Sequence, residues 1–491
     1  MSQPSQQSKI TREQIGEIYD QGKEAVITFV EELLGQITKL ENRLSELEGR
    51  INKDSHNSSK PPSSDGFGKR TKSLRQKSEK PSGGQAGHPG KTLEWSSEPD
   101  LVKVHPVDVC STCGESLSAV PVEELLSRQV HDIPPIEILV TEHQIEVKSC
   151  PCCGTLNQGE FPAEASNVIQ YGPRLKAMMV YLMDGQLLPS ERSCELLKDM
   201  MGVSLSEGTL YNSREQCFEV LEPIEQEIVQ AIKGETVVNF DETGMQVNKR
   251  LWWLHVASTS GLTYYLAHPK RGQAAMDEMD ILPEFAGKAV HDGWKSYAAY
   301  ECEHFLCNAH HLRELQFILE HHGQWWAFQM SLLLLTIYRQ VEQAKAQGQT
   351  ALDQEQLAAF AARYEAILAE GLAANPLPTP SPEEPKKRGR PKRSPPRNLL
   401  ERLRDQQASV LGFMYDFAIP FDNNQAERDL RMMKLKQKIS GCFRSEDGAK
   451  RFCRIRGYLA TLRKQGRNLL GALIDLFSGN PQSAIPQPQP E

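Results

Sequence analysis

The chain has 491 residues, 39% apolar and 24% charged, enough for roughly three domains with cores of their own. Its net charge of -8 does not exclude a nucleic-acid partner, because Glu427 to Arg467 carries thirteen Lys or Arg against four Asp or Glu, and Lys60 to Lys91 carries eight against two. No basic stretch followed by an apolar run opens the chain, and Trp325 to Tyr338 is too short and too interrupted to span a bilayer, so a cytoplasmic protein is expected, with its eleven cysteines as free thiols or metal ligands rather than disulfides.

Val26, Val30, Leu33, Ile37, Leu40, Leu44, Leu47 and Ile51 alternate four and three apart, an a/d seam that predicts a coiled coil or an amphipathic helix docked on the protein's own core. Asn57 to Gly66 and the basic, Gly-rich stretch up to Gly90 hold too few apolar residues to order themselves and read as a flexible basic linker. Cys110, Cys113, Cys150 and Cys153 form two Cys-x-x-Cys pairs, the four thiolates of one structural zinc, separated by strand-like sequence from Ile136 to Val147. Cys152 is a bystander in that set, or competes with Cys150 for one place.

Pro173 to Asp184, Pro189 to Met201 and Ser206 to Val220 read as short helices broken at Gly185 and Gly202. Glu195 to Ser206 has the rhythm of a helix-turn-helix, shared by many helical bundles, and the would-be recognition helix offers only Arg214 as a cation. From Thr236 the period becomes that of strands: Val237 to Asp241, Leu251 to Ser258 and Thr263 to Ala267 make a meander. A helical run from Gln273 to Met279, a strand through Ala289 to Asp292, a strand at His304 to Cys307 and a helix from Ala309 follow, an α/β order with a mixed sheet. Helical sequence runs from Trp325 to about Leu372, and then a Pro-rich segment holds Arg388-Gly389-Arg390-Pro391, which reads equally as an AT-hook, its two arginines entering a narrow minor groove, or as a solvated basic linker.

Further on, Ala426, Leu430 and Met433 make a core stripe at helical spacing, while Glu427, Arg431, Lys434 and Lys438 share the neighbouring face, suited to holding a divalent ion at one point and following a phosphate backbone along the rest. Asp241 and Asp292 each close a strand-like run, where an aspartate is ordinarily a turn residue. Brought together with Glu427 they would make an oxygen-rich site for two Mg²⁺ ions, which also offset the repulsion of three carboxylates.

Asp241-Glu242-Thr243-Gly244, Asp292 with Tyr297 behind it, Cys307 to Arg313, and Asn423-Asn424-Gln425-Ala426-Glu427-Arg428 resemble the bacterial DDE transposases of the insertion sequence 66 family. So do Asn57 to Gly66, the paired cysteines and Ser440 to Ser445, in the same order over nearly the whole chain. The resemblance implies a multidomain α/β protein: a ribonuclease H-like mixed-sheet catalytic core with a helical insertion, preceded by the coiled-coil helix, a zinc-knuckle β-subdomain and a helix-turn-helix-like segment. The corresponding division is 1–52, 53–100, 101–165, 166–233, 234–322, 323–400, 401–478 and a tail at 479–491. It implies cleavage at insertion-sequence ends and transfer of the freed 3′-hydroxyl to target DNA, with Asp241, Asp292 and Glu427 as ligands of two Mg²⁺, the four paired cysteines on zinc, and His310 and Arg313 near the site and its DNA. It implies a homo-oligomer, at least a dimer, working on the nucleoid with small accessory proteins. Asn308 stands where relatives place an aromatic residue, and Cys152 adds a third thiol to the second knuckle. The rival readings are a non-catalytic zinc-containing DNA-binding regulator and an inactivated transposase; a tyrosine recombinase would use the His310-x-x-Arg313 pattern but finds no suitable Arg and Tyr context.

Overall fold

A computed structural model of the chain describes residues 12–51, 53–54, 57–58, 93–377 and 393–485. The chain divides into two compact units, one drawn from Met1–Leu74, Tyr171–Pro189 and Leu210–Glu491, the other from Arg75–Gln170 and Ser190–Thr209. Two helices come first, α1 (Arg12–Asp20) and α2 (Lys23–Ile51). The seam runs along α2, where Ile37, Leu40, Leu44, Leu47 and Ile51 are exposed in the single chain.

The second unit holds a two-stranded antiparallel ribbon, β1 (Val147–Ser149) with β2 (Leu156–Gln158). Only the last residue of the strand expected from Ile136 to Val147 is in it: Leu139 and Val140 are exposed and irregular. A β-rich run becomes a strand only where another strand takes up its amides, and Leu156–Gln158 meets Val147–Ser149 alone.

The helices α3 (Pro173–Val180), α4 (Ser190–Met201), α5 (Glu207–Val220) and α6 (Glu222–Lys233) come next. Gly202, at φ +69°, lies just after α4, and a π turn at Tyr181–Gly185 prolongs α3. A five-stranded mixed sheet follows: β3 (Val237–Val247), β4 (Arg250–Ser258), β5 (Thr263–His268), then, after α7 (Gln273–Glu278), β6 (Lys288–His291) and β7 (Glu303–Leu306). Its order is β5-β4-β3-β6-β7; β3, β4 and β5 are antiparallel, while β6 and β7 run parallel to β3. The α/β order and the mixed sheet are therefore as expected.

One expectation is corrected here. Asp241 does not end its strand: β3 continues to Val247, and Asp241 sits mid-strand opposite Val256. The hairpin turn falls at Asn248-Lys249, both left-handed (φ 47° and 61°), so the ladder with β4 extends through Asp241-Glu242-Thr243-Gly244.

After β7 come α8 (Asn308–His322), α9 (Trp325–Ala346), α10 (Gln354–Ala374), α11 (Pro395–Asp405), α12 (Gln407–Tyr415), α13 (Asn424–Ser440), α14 (Glu446–Lys464) and α15 (Leu469–Phe477). Side chains alternate along a strand, so β3 sends Val238 and Phe240 into a core with α6, α14 and α15, and Met245 and Val247 into a core with α13. A third core joins Val290 of β6 and Phe305 of β7 to α8 through α12. No helix among the described residues is long and apolar enough to cross a membrane.

Candidate active site

Alternation on β3 decides which way its two adjacent acids point. Asp241 shares the parity of Met245 and Val247, the face covered by α13, whereas Glu242 shares that of Phe240. In the parallel ladder Asn239 lies opposite Val290, and Asp241 and Asp292 each stand two residues beyond that pair. Burial raises the Asp241 carboxyl well above the ordinary carboxylate value, and the charges of Glu242, Asp292 and Glu427 push it the same way. A group of hard oxygen donors in mutual repulsion fits a divalent cation such as Mg²⁺.

Glu242 is the residue that sequence reasoning passed over. Its side chain is fully buried; Tyr297 donates its hydroxyl to one carboxylate oxygen at 2.8 Å, and Arg271 Nε donates to the other at 2.8 Å. Burial and Asp292 raise its pKa, while Arg271 and Tyr297 pull it down. Arg271 also comes within 3.8 Å of Asp292 and lies over the Trp294 ring, 3.9 Å from its centroid. One guanidinium thus joins a buried acid to a candidate ligand. The only signal for this in the sequence was Tyr297 behind Asp292.

Glu427 arrives on the first turn of α13, whose Ala426, Leu430 and Met433 are buried as the stripe predicts. Asn423, fully buried before the helix, fastens that turn to β3: its Nδ2 donates to Phe240 O and its Oδ1 accepts from Asn239 Nδ2, both at 2.8 Å. Its N–H donates to Cys307 Sγ at 3.2 Å. Arg313 Nη2 stands 3.4 Å from Glu427 Oε1. Cys307, just past β7, and His310, in the first turn of α8, complete the surroundings: their ligand atoms and that of Glu427 all lie within 4.8 Å of one another. Burial pushes the Cys307 thiol up to about 12 and holds the His310 imidazole down to about 3, with Arg313 and Arg402 adding to the latter.

The other expected DNA contacts are dispersed. Arg431 and Lys438 are exposed on α13, but Lys434 Nζ donates to Gly244 O at 2.6 Å and ties α13 to β3. Arg214 is buried in a two-point ion pair with Asp184, both bonds at 2.6 Å, and so faces no groove. Arg388 and Arg390, like the basic stretch Lys60 to Lys91, lie outside the described residues. Of the acids flanking Glu427, Asp429 is held by Ser258 and Lys464, at 2.6 and 2.8 Å, and Asp422 accepts the Asn424 N–H at 3.0 Å.

In the other unit the cysteine pairs make two matching turns. Gly114 N–H donates to Cys110 O and Gly154 N–H to Cys150 O, with φ of +77° and +75° at the two glycines, where a side chain would be strained. The Cys110 thiol is lowered by the Cys113 and Thr112 backbone amides, and the Cys153 thiol by the Thr155 hydroxyl, so each turn favours a thiolate. No three of the four sulfurs come within 4.8 Å among the described residues, so it is the two pairs, each preformed, that fit zinc.

The family model described as Transposase IS66 family matches residues 168–451. That of the zinc-finger binding domain of transposase IS66 matches residues 108–154, and that of a family of unknown function, DUF6444, residues 2–94. No curated protein matches the chain.

Proposed function

The chain belongs to the IS66 transposase family, and we propose on that premise that it cuts DNA at the ends of an insertion sequence and joins the freed 3′-hydroxyls to target DNA. In the first reaction water attacks a phosphodiester and the P–O3′ bond breaks, leaving a 3′-hydroxyl. In the second that hydroxyl attacks a target phosphodiester, forming one P–O bond and releasing a target 3′-hydroxyl.

The observation that carries this reading is where the fold puts three acids distant in sequence: Asp241 and Asp292 each two residues beyond the paired Asn239 and Val290, and Glu427 on the helical turn that Asn423 fastens to β3. We assign all three as ligands of two Mg²⁺, which when bound supply positive charge to the attacking and leaving oxygens. Arg271 and Arg313 hold Asp292 and Glu427 in place. A five-stranded mixed sheet with Asp241 on β3, Asp292 just past β6 and Glu427 on a helix against β3 supports a ribonuclease H-like core, with α9 to α12 as its helical insertion. His310, Arg313, Arg431, Lys434 and Lys438 line the approach for DNA, with Lys434 doing so while bound to β3, and Arg388 and Arg390 add minor-groove affinity. One zinc on Cys110, Cys113, Cys150 and Cys153 orders the smaller unit. The exposed seam of α2 pairs two copies, and small accessory proteins join them on the nucleoid of a bacterial cytoplasm.

The test is a cut-and-join assay on labelled transposon ends in Mg²⁺, beside a gel shift. Glu427→Gln, Asp241→Asn and Asp292→Asn should each lose at least about a hundredfold in rate while still binding DNA. A Glu427→Gln protein that cuts near the wild-type rate removes Glu427 from the site. Binding without any metal-dependent cutting by the wild type would favour a DNA-binding regulator.

A further inference from the structure

We propose that Cys307, His310 and Glu427 form a site for a zinc-class divalent ion, separate from the paired cysteines and sharing Glu427 with the Mg²⁺ ligands. The ligand atoms of these three residues lie within 4.8 Å of one another, a separation that small side-chain movements close to the spacing of a coordination shell. A thiolate, an imidazole and a carboxylate are donors that zinc or cobalt takes readily; Mg²⁺, which prefers oxygen, does not.

The backbone prepares the set. Cys307 and His310 are three residues apart across the start of α8, the His310 N–H donating to Cys307 O at 3.1 Å, so both side chains leave the same side of the first turn. Cys307 is fixed from both directions: its N–H donates to His291 O at 3.0 Å, and its sulfur accepts the Asn423 N–H at 3.2 Å, a bond that favours the thiolate. The independent sign is His310 Nδ1. It is sealed from solvent and has no hydrogen-bond partner, although buried polar atoms nearly always find one. A cation held through that nitrogen would take its lone pair. Three protein ligands leave a fourth position for water or a phosphate oxygen, and binding releases the thiol proton.

The consequence rests on the assignment of Glu427 made under Proposed function. Zinc here competes with Mg²⁺ for the Glu427 carboxylate and draws it toward Cys307 and His310, and so inhibits cutting. Arg313, 3.4 Å from Glu427, is the cation that zinc would displace.

The experiment uses the full chain, its paired cysteines first saturated with zinc, titrated with Co²⁺ in Mg²⁺-free buffer. The expected result is one further equivalent of cobalt with a thiolate-to-cobalt charge-transfer band. Cys307→Ser should abolish the band, and His310→Ala and Glu427→Gln should each weaken cobalt binding by about tenfold or more. Because Cys307 is buried, thermal melts accompany each variant; Glu427 is partly exposed, so Glu427→Gln tests the site even where Cys307→Ser misfolds. A band that survives in folded Cys307→Ser comes from exchange into the paired cysteines and overturns the proposal, as does the absence of a further equivalent. These readouts need no DNA. Failure here leaves the cutting reaction standing, and failure of the cutting assay leaves the cobalt result standing.

Discussion

Asn423→Ala tests how the site is assembled. The side chain makes two buried hydrogen bonds to β3, one to the Phe240 carbonyl and one from the Asn239 amide, each 2.8 Å long. Truncation removes both and strands the Asn239 amide in a dry environment; at about 1 kcal/mol for each bond and about 1–3 kcal/mol for the orphaned group, the loss of stability is about 3–5 kcal/mol. The same bonds set the distance between the first turn of α13 and β3, and therefore between Glu427 and Asp241. A shift of about 1 Å between reacting groups costs on the order of a hundredfold in rate, so cutting should fall much further than the folded fraction does. Urea titration followed by circular dichroism gives the first number, and the cut-and-join assay, corrected for folded protein, gives the second. If the variant is within about 0.5 kcal/mol of wild type, or cuts at full rate while folded, the fastening role of Asn423 is refuted.

Three further outcomes follow from the same structure. The native Asp241 carboxyl is raised above its ordinary 3.8, so the native state holds a proton that the unfolded chain releases, and metal-free stability should fall as pH rises from about 3.8 through the raised value. Buried His291, His310 and His311, held at about 3, act in the opposite sense up to their ordinary 6.5, so the measurement is the difference between wild type and Asp241→Asn; a difference that does not change with pH refutes it. Elemental analysis of thiol-protected protein should find a tightly held zinc that is lost on Cys110→Ser with Cys150→Ser and kept in Cys307→Ser, and a metal-free native protein would rule the knuckle site out. Leu40→Lys with Leu44→Lys should turn a dimer into a monomer by light scattering, and an unchanged mass would mean that the exposed seam joins no copies.

Where the fold depends on local pattern, the sequence carried it well. The stripe Ala426, Leu430 and Met433 faces inward as its spacing says, and the second and third strands of the meander fall where alternation puts them. What it could not show is pairing. Nothing in Asp241-Glu242-Thr243-Gly244 tells that β4 is long enough to keep those residues in the ladder, and so the aspartate reads as a turn. Partners distant in sequence were hidden for the same reason. Arg271 beneath Trp294, Lys434 on Gly244 and Arg214 on Asp184 all look like free cations until the fold supplies the group each one meets. The grouping of Cys307 and His310 with Glu427 is half legible: the Cys-x-x-His spacing can be read, but the carboxylate that meets it lies more than a hundred residues away.

The cover that α9 to α12 give to β6 and β7 limits how small such an enzyme can become. Gly412 of α12 lies so close to Phe305 that any added Cβ would strike the ring, and Trp326, Met330, Leu400 and Phe413 pack in the same core as Val290. A shortened protein that removed α9 to α12 would open Val290 and Phe305 to water, and at about 25 cal/mol per Å² of apolar surface the strand ends beside Asp292 and Cys307 would lose the support that keeps them rigid. The excursion between the second and third acids is thus part of the floor on which the second acid stands, and attempts at miniaturisation have to begin elsewhere in the chain.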